Sequence, residues 1–338
     1  MRKLATVRKI DELNPIPGAD AIECAVLGGW KVVAQKGLYE VGDLAVYFEI
    51  DSWMPNELAP FLSKGKEPRE FEGIKGERLK TIKLRGQLSQ GLLMPMHEIV
   101  EFIGNPLRVF NEGEDLSESL GIVKWEKPIN AQLAGQVKGN FPSLIPKTDQ
   151  ERVQNLKNEI QAAFESGLLF EVTEKLEGSS MTVYRIDGEF GVCSRNMDLK
   201  RDENNSFWKV AIEDDIENKM AFSDNFAIQG ELIGPGIQGN IYNLSKPEFR
   251  VFDVYDIKEG YYMNPADRRD LISRMGLNHV PVLTTGKDLG IGTIDELLAW
   301  AEGESKLAKT EREGIVFKQE DGGMTFKAIS NKYLLGEK

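Results

Sequence analysis

Apolar positions in the first 110 residues come in short runs broken by turn residues. Trp30 to Val33, Leu44 to Ile50, Arg78 to Leu84 and Gln90 to Pro95 read as strands, and Pro15-Ile16-Pro17-Gly18, Gly42-Asp43 and Gly86 punctuate them. So many short strands predict a small β-barrel. From Lys124 to Thr148 the apolar pattern lapses, with Pro128, Pro142, Pro146 and scattered glycines, which reads as a linker. Thr148 and Glu151 then form a capping-box pattern ahead of Val153, Leu156, Ile160 and Phe164 at helical spacing, with Gly167 at the stop, which predicts one amphipathic helix.

Beyond that helix the period returns to that of strands. Leu168 to Thr173 is followed by Met181 to Ile186 and Glu189 to Arg195, the last two flanking the hairpin signal Asp187-Gly188. Phe226 to Ile233, Phe249 to Ile257, Gly314 to Lys318 and Met324 to Ile329 continue the series, with helices expected at Pro265 to Met275 and Ile294 to Ala301. The fold class is therefore α+β. We expect an OB-like β module over 1–120, a linker over 121–147 and a second, larger domain over 148–338.

The 338 residues are enough for two such domains, and 41% apolar with 28% charged residues is an ordinary globular balance. No apolar run approaches the roughly 18 residues of a membrane span, and no apolar segment follows the basic N-terminus as a secretory signal would. Cys24 and Cys193 are too few for a disulfide framework, so a reducing cytoplasmic setting is expected. His97 and His279 alone argue against a histidine metal site or a Ser-His-Asp triad.

The net charge of −12 is unevenly spread. Residues 1–150 hold 19 basic and 21 acidic side chains, and residues 151–338 hold 23 and 33. Lys64 to Arg85 carries eight cations against four carboxylates, and Lys80, Lys83 and Arg85 within it are candidates for nucleic-acid phosphates.

The sharpest local feature is Glu174-Lys175-Leu176-Glu177-Gly178, between two expected strands. Alone it is a common tetrapeptide pattern. It is followed in order by Ser194-Arg195-Asn196, Gly230-Glu231-Leu232-Ile233-Gly234, the run Phe249 to Ile257, Glu313 to Lys318 (EGIVFK) and Phe326-Lys327. Five elements in this order resemble the collinear motifs of the covalent nucleotidyltransferase superfamily, which comprises ATP-dependent polynucleotide ligases and mRNA capping enzymes. The Ser-Arg-Asn and Gly-Glu-Leu elements look most like RNA ligases, and a β module ahead of the catalytic domain is similar to the class with an N-terminal OB module. The resemblance implies that the second domain is a nucleotidyltransferase, an ATP-grasp-like ligase domain built on antiparallel sheets.

It further implies that Lys175 attacks the α-phosphorus of ATP, and that Mg²⁺ or Mn²⁺ is held near Glu177 and Glu313. Attack requires a neutral amine, which neighbouring cations such as Lys318 and Lys327 would favour while also neutralising phosphate charge. Glu231 is expected at the ribose or the metal, and Arg195 near the nucleotide or the polynucleotide end, with Asn196 beside it. Phe252 is expected to stack on adenine and Glu174 to read the adenine edge. The partner implied is RNA or an RNA/DNA nicked duplex, and the expected state is a monomer.

Two departures stand out: Glu177 occupies a position often held by aspartate, and Ile329 stands where a second lysine usually follows Lys327 at a spacing of two. Lys332 is the nearest substitute. Because the chain stops eleven residues after Lys327, no C-terminal OB module is expected, which disfavours a capping-type guanylyltransferase. A DNA ligase, or a non-catalytic RNA-binding protein on the same fold, are the other readings.

Overall fold

A computed structural model describes residues 3–126, 135–290 and 293–336. The chain divides into two compact units, Met1–Pro128 and Ile129–Lys338. Both are strand-rich with few helices, as the α+β class requires.

In the first unit Ala5–Lys9, Leu44–Phe48 and Leu92–Pro95 form one antiparallel sheet, and Glu12–Pro15, Ile22–Leu27 and Trp30–Gln35 form a meander. Val7, Val46, Phe48, Met54 and Met94 meet in its core together with Ile99 of the Met96–Ile103 helix. Two expected strands are broken. Arg78 to Leu84 splits into Ile74–Arg78 and Thr81–Leu84, with the buried Leu79 between them donating to the Ser52 carbonyl. Gln90 to Pro95 splits at Gly91, whose φ of 106° and approach to the Phe48 carbonyl exclude a side chain.

The second unit contains two sheets. The larger runs Val137–Asn140, Met197–Leu199, Glu189–Cys193, Ser179–Ile186, Phe226–Ile233, Glu248–Asp256 and Tyr261–Tyr262, with Asn278–His279 joined to Glu248–Asp256. The smaller runs Glu151–Arg152, Thr325–Ile329, Gly314–Gln319, Phe170–Lys175 and Val282–Lys287. Helix Ser206–Glu213 and helix Pro265–Arg274 cover the larger sheet through Phe207, Trp208 and Ile272, and helix Ile294–Ala301 covers the smaller through Leu297 and Leu298. Among the described residues no helix is long and apolar enough to cross a membrane.

Local chemistry explains most boundaries. Asp187 and Gly188 both take positive φ, the geometry of a tight two-residue hairpin turn. Asn264 and Thr293 cap their helices by accepting backbone N–H bonds from Asp267 and Glu296. The helix expected from Thr148 begins only at Lys157, as Lys157–Glu165. Glu151–Arg152 is instead drawn into parallel pairing with Phe326 and Lys327, and the Thr148 hydroxyl lies 2.9 Å from that of Ser180, so tertiary pairing overrides the capping pattern. The stretch 121–147, expected as a linker, contributes a strand to each unit, Val123–Lys124 to the first and Val137–Asn140 to the second; residues 127–134 of it lie outside the described residues.

Candidate active site

The smaller sheet ends its Phe170–Lys175 strand on the candidate nucleophile, and four residues later the Ser179–Ile186 strand enters the larger sheet. Leu176 to Gly178 is thus the crossover between sheets. Gly178 is required there by space: a Cβ would lie 2.4 Å from the Leu232 carbonyl oxygen and 2.8 Å from Glu231 Cγ. Leu176 fixes the crossover by packing with Ile233, Tyr242 and Val280, and the half-buried Phe252 packs against this cluster. Phe252 is thereby held beside the residue that follows Lys175.

Strand pairing decides which side chains share the lysine's face. Lys175 pairs with Gly314 and Gly314 with Ile329, while Thr173 pairs with Val316 and Val316 with Lys327. Lys175 and Lys327 therefore stand on one pleat of the sheet, two rows apart. Glu313, one residue before its strand, accepts a hydrogen bond from Lys175 Nζ at 2.7 Å. Both side chains are largely shielded, at 25% and 17% exposure.

The larger sheet supplies the facing groups. Glu231 pairs with Ser180 and is pushed up to about 8, first by burial and then by the Glu313 charge, against the opposing pull of Lys175 and Arg195. Arg195 lies in the turn between Glu189–Cys193 and Met197–Leu199, where its Nη2 donates to both oxygens of Asp149 at 2.7 and 2.9 Å. Its neighbour Asn196 accepts from Lys147 Nζ at 2.8 Å. The segment 147–149 is thus bound to the Ser-Arg-Asn turn side chain by side chain.

Two expected residues have other neighbours. Glu174 lies on the opposite pleat from Lys175, in the row of Ile315 and Ala328, and its carboxylate accepts from Ser305 Oγ at 2.5 Å and from the Lys306 amide at 2.8 Å. Lys318 is on the lysine's face but four residues along, roughly 13 Å away at strand rise. It donates to the Phe252 carbonyl at 2.6 Å and pairs with Asp253 at 2.5 Å. Asp253 also lies 3.6 Å from Arg268, which with Arg269 pairs to the fully buried Glu171. Burial pushes Lys318 down to about 8, with Arg268 adding to the fall and Asp253 opposing it. The substitute lysine, Lys332, pairs with Glu302 at 3.0 Å, while Ile329, in the row of Lys175, is 3% exposed.

Sequence reading missed two tyrosines. Tyr242 Oη accepts the Glu177 amide N–H at 2.7 Å, and the Gly239 amide donates to Glu177 Oε1 at 3.4 Å. Gln238, Asn240 and Asn243 all take positive φ, so the loop that delivers Tyr242 is tightly wound. Tyr333, on the short Asn331–Leu335 helix, is pushed up by burial and by the charges of Glu313 and Glu177. His279 accepts from Arg268 Nε at 3.1 Å and is a packed structural residue.

Carboxylates dominate the site's charge, with Glu177, Glu231 and Glu313 set against Lys175 and Arg195. Among the described residues no three His, Cys, Asp or Glu side chains converge as a cage. A site of this kind suits a hard divalent ion that keeps water and substrate phosphates as most of its ligands.

The likeness to known proteins runs through both units. An RNA ligase family model matches residues 169–333 and an OB-fold domain model matches residues 4–96. Naegleria gruberi RNA ligase with PPi is 45% identical, with a TM-score of 0.90, covering 99% of this chain and 98% of that chain. A mutant of that ligase with ATP and Mn matches at 45% identity and a TM-score of 0.90 over 98% of each chain. Another, with AMP and Mn, matches at 44% and 0.91 over 100% of each. Among curated proteins there is no significant match. The N-terminal OB-fold domain and the ligase domain expected from the sequence are both present. Identity of 45% over 99% of the chain, together with the family match over residues 169–333, places the protein in the RNA ligase family.

Proposed function

We propose that this ligase joins a 3′-hydroxyl end to a 5′-phosphate end of RNA through an adenylate carried on Lys175. Its preferred substrate is a nicked duplex with RNA on the 3′-hydroxyl side and either RNA or DNA on the other, and its role is repair of broken RNA in the cytoplasm by a monomeric enzyme. The observation that carries this reading is the Lys175–Glu313 contact of 2.7 Å, on a strand end faced by Glu231 and Arg195.

In the first step the Lys175 Nζ lone pair forms a bond to the α-phosphorus of ATP as the bond to pyrophosphate breaks. Glu313 is the acceptor within reach of the amine's proton. In the second, an oxygen of the 5′-phosphate displaces Nζ from the adenylate phosphorus. In the third, the 3′-hydroxyl oxygen attacks the activated 5′-phosphorus and AMP leaves. Phe252 stacks on adenine, Lys327 and Arg195 contact phosphate, and Asn196 lies toward the polynucleotide. Glu174 acts at the adenine edge through the Ser305 and Lys306 loop it binds, and Lys318 acts from behind Phe252.

A bound Mg²⁺ or Mn²⁺ supplies charge neutralisation at the phosphate oxygens. Glu177 and Glu313 would hold it, with Glu231 at the ribose or beside the ion, in keeping with the forms of the Naegleria ligase with ATP and Mn. Lys80, Lys83 and Arg85, all exposed, contact the nucleic-acid backbone.

Incubation with ATP labelled at the α-phosphate and Mn²⁺ or Mg²⁺, followed by denaturation, should leave label on the wild type and none on Lys175→Ala. Sealing should then be compared on nicks with RNA or DNA as the 3′-hydroxyl strand. Labelling by GTP instead of ATP, or equal sealing of the DNA strand, would overturn the assignment.

A further inference from the structure

The hairpin over 81–90 is built as a fixed projection. Its base is anchored, since Thr81, Ser89 and Gln90 are buried, Ser89 Oγ accepts from the Val33 amide at 3.0 Å, and the Gln90 carbonyl accepts from Tyr47 Oη at 2.9 Å. Its tip is not covered: residues 82–86 are all exposed. Arg85 and Gly86 take φ of 50° and 81°, closing the strands Thr81–Leu84 and Gln87–Gln90 by a tight two-residue turn that leaves little freedom at the end.

What the tip presents is unusual for a solvent-facing ribbon. Cross-strand pairing sets Ile82 opposite Ser89 and Leu84 opposite Gln87, so the two branched apolar side chains share one face. They are 46% and 39% exposed. Lys83 stands on the other face and Arg85 at the turn, with Lys80 at the root. From Arg78 to His97 the chain carries four cations and no carboxylate, although the protein as a whole is at −12. A solubilising edge would mix both signs; this one has a single sign around an apolar blade.

That combination fits a polyanion with a stacked apolar interior. We infer that the 81–90 hairpin is a wedge that enters a groove of the duplex beside the nick, with Ile82 and Leu84 against base or sugar edges and Lys80, Lys83 and Arg85 on the flanking phosphates. The inference rests on the nicked-duplex reading above and adds to it a distinct, non-electrostatic contact. Apolar side chains pressed into a groove loosen a base step and bend the helix, and a nick is where a duplex resists that least. The wedge thereby selects interrupted duplexes over intact ones, which backbone contacts alone do not.

The two kinds of contact separate in a binding experiment with the full-length enzyme and a fluorescent nicked duplex at 50 to 200 mM salt. Ile82→Ser with Leu84→Ser should weaken nick binding about tenfold, leave the salt dependence unchanged and reduce the preference for nicked over intact duplex. Lys83→Ala with Arg85→Ala should lower the slope of log affinity against log salt by about 1 to 2, as expected for two phosphates. Energy transfer between dyes on the two arms of the duplex should report a bend with wild type that the apolar variant loses. Circular dichroism and urea-denaturation midpoints equal to those of the wild type will show that both variants are folded. An apolar variant that binds, bends and discriminates as the wild type does would overturn the wedge while leaving the ligase reading intact. Sedimentation showing a wild-type dimer that the apolar variant abolishes, with nick affinity unchanged, would overturn it in favour of a self-association surface. Failure of the wild type to seal any nick would refute the substrate itself, and the wedge with it.

Discussion

Glu231 offers the most direct test of the site's electrostatics. Its carboxyl is pushed up to about 8 from an ordinary 4.5, chiefly by burial. Between those two values the folded protein holds a proton that the unfolded chain has released. Stability is therefore full below about 4.5 and declines as pH rises toward 8. Integrating over that window gives a loss of about 3 kcal/mol at pH 7 and about 1 kcal/mol at pH 5, from the shift in this one group. Glu231→Gln keeps the shape and removes the titration, so its stability relative to wild type should improve by about 2 kcal/mol between pH 5 and pH 7.

The assay is urea denaturation of both proteins at several pH values in chelator, repeated with Mn²⁺ and ATP. With the ligands present the order should reverse, because a carboxylate expected to assist the metal is stabilised by it and an amide is not. Parallel stability curves for the two proteins from pH 5 to 8 in chelator would refute the burial argument. A reversal absent with Mn²⁺ and ATP would refute the placement of Glu231 at the metal. Lys175→Ala, which removes the main opposing charge, should raise the Glu231 value further and steepen the decline.

Other expectations follow from single contacts. Gly178→Ala forces a Cβ against the Leu232 carbonyl and should cost about 1–3 kcal/mol in urea denaturation, together with most of the adenylate labelling. His279, pushed down to about 4 chiefly by burial and secondarily by Arg268, titrates in the opposite sense to Glu231. Its contribution to stability is full above about 6.5 and falls toward pH 4, by about 2 kcal/mol at pH 5, so His279→Gln should flatten the acid limb of the stability curve. Lys332→Ala removes a half-exposed pair with Glu302, and should leave labelling within about twofold of wild type and stability within about 0.5 kcal/mol. A large loss of labelling would return Lys332 to the role of the lysine missing at Ile329.

What could be read in the sequence, and what could not, divides along the range of the interactions concerned. The strand Phe226–Ile233 and the helix Ile294–Ala301 match their sequence-based limits because a short apolar run and a capping threonine are encoded within a few residues. The order of the motifs likewise singled out Lys175 and Glu313 as candidates, which pairing through Gly314 then brings into contact. The helix expected at Thr148 failed where a distant strand competed for the same backbone. Placement of the supporting residues depended on pleat and depth, which spacing does not reveal. Glu174 and Lys175 are adjacent in sequence, yet alternation sends one to the Ser305 loop and the other to Glu313. Lys318 shares the face of Lys175 but is held by Asp253, whose own neighbour Arg268 comes from a helix 15 positions further along. The buried charges are linked in series, from Lys318 to Asp253 to Arg268 to Glu171, with Arg269 closing the far end. The arrangement that holds Phe252 beside the lysine crossover is therefore a property of the folded network, and no single segment specifies it.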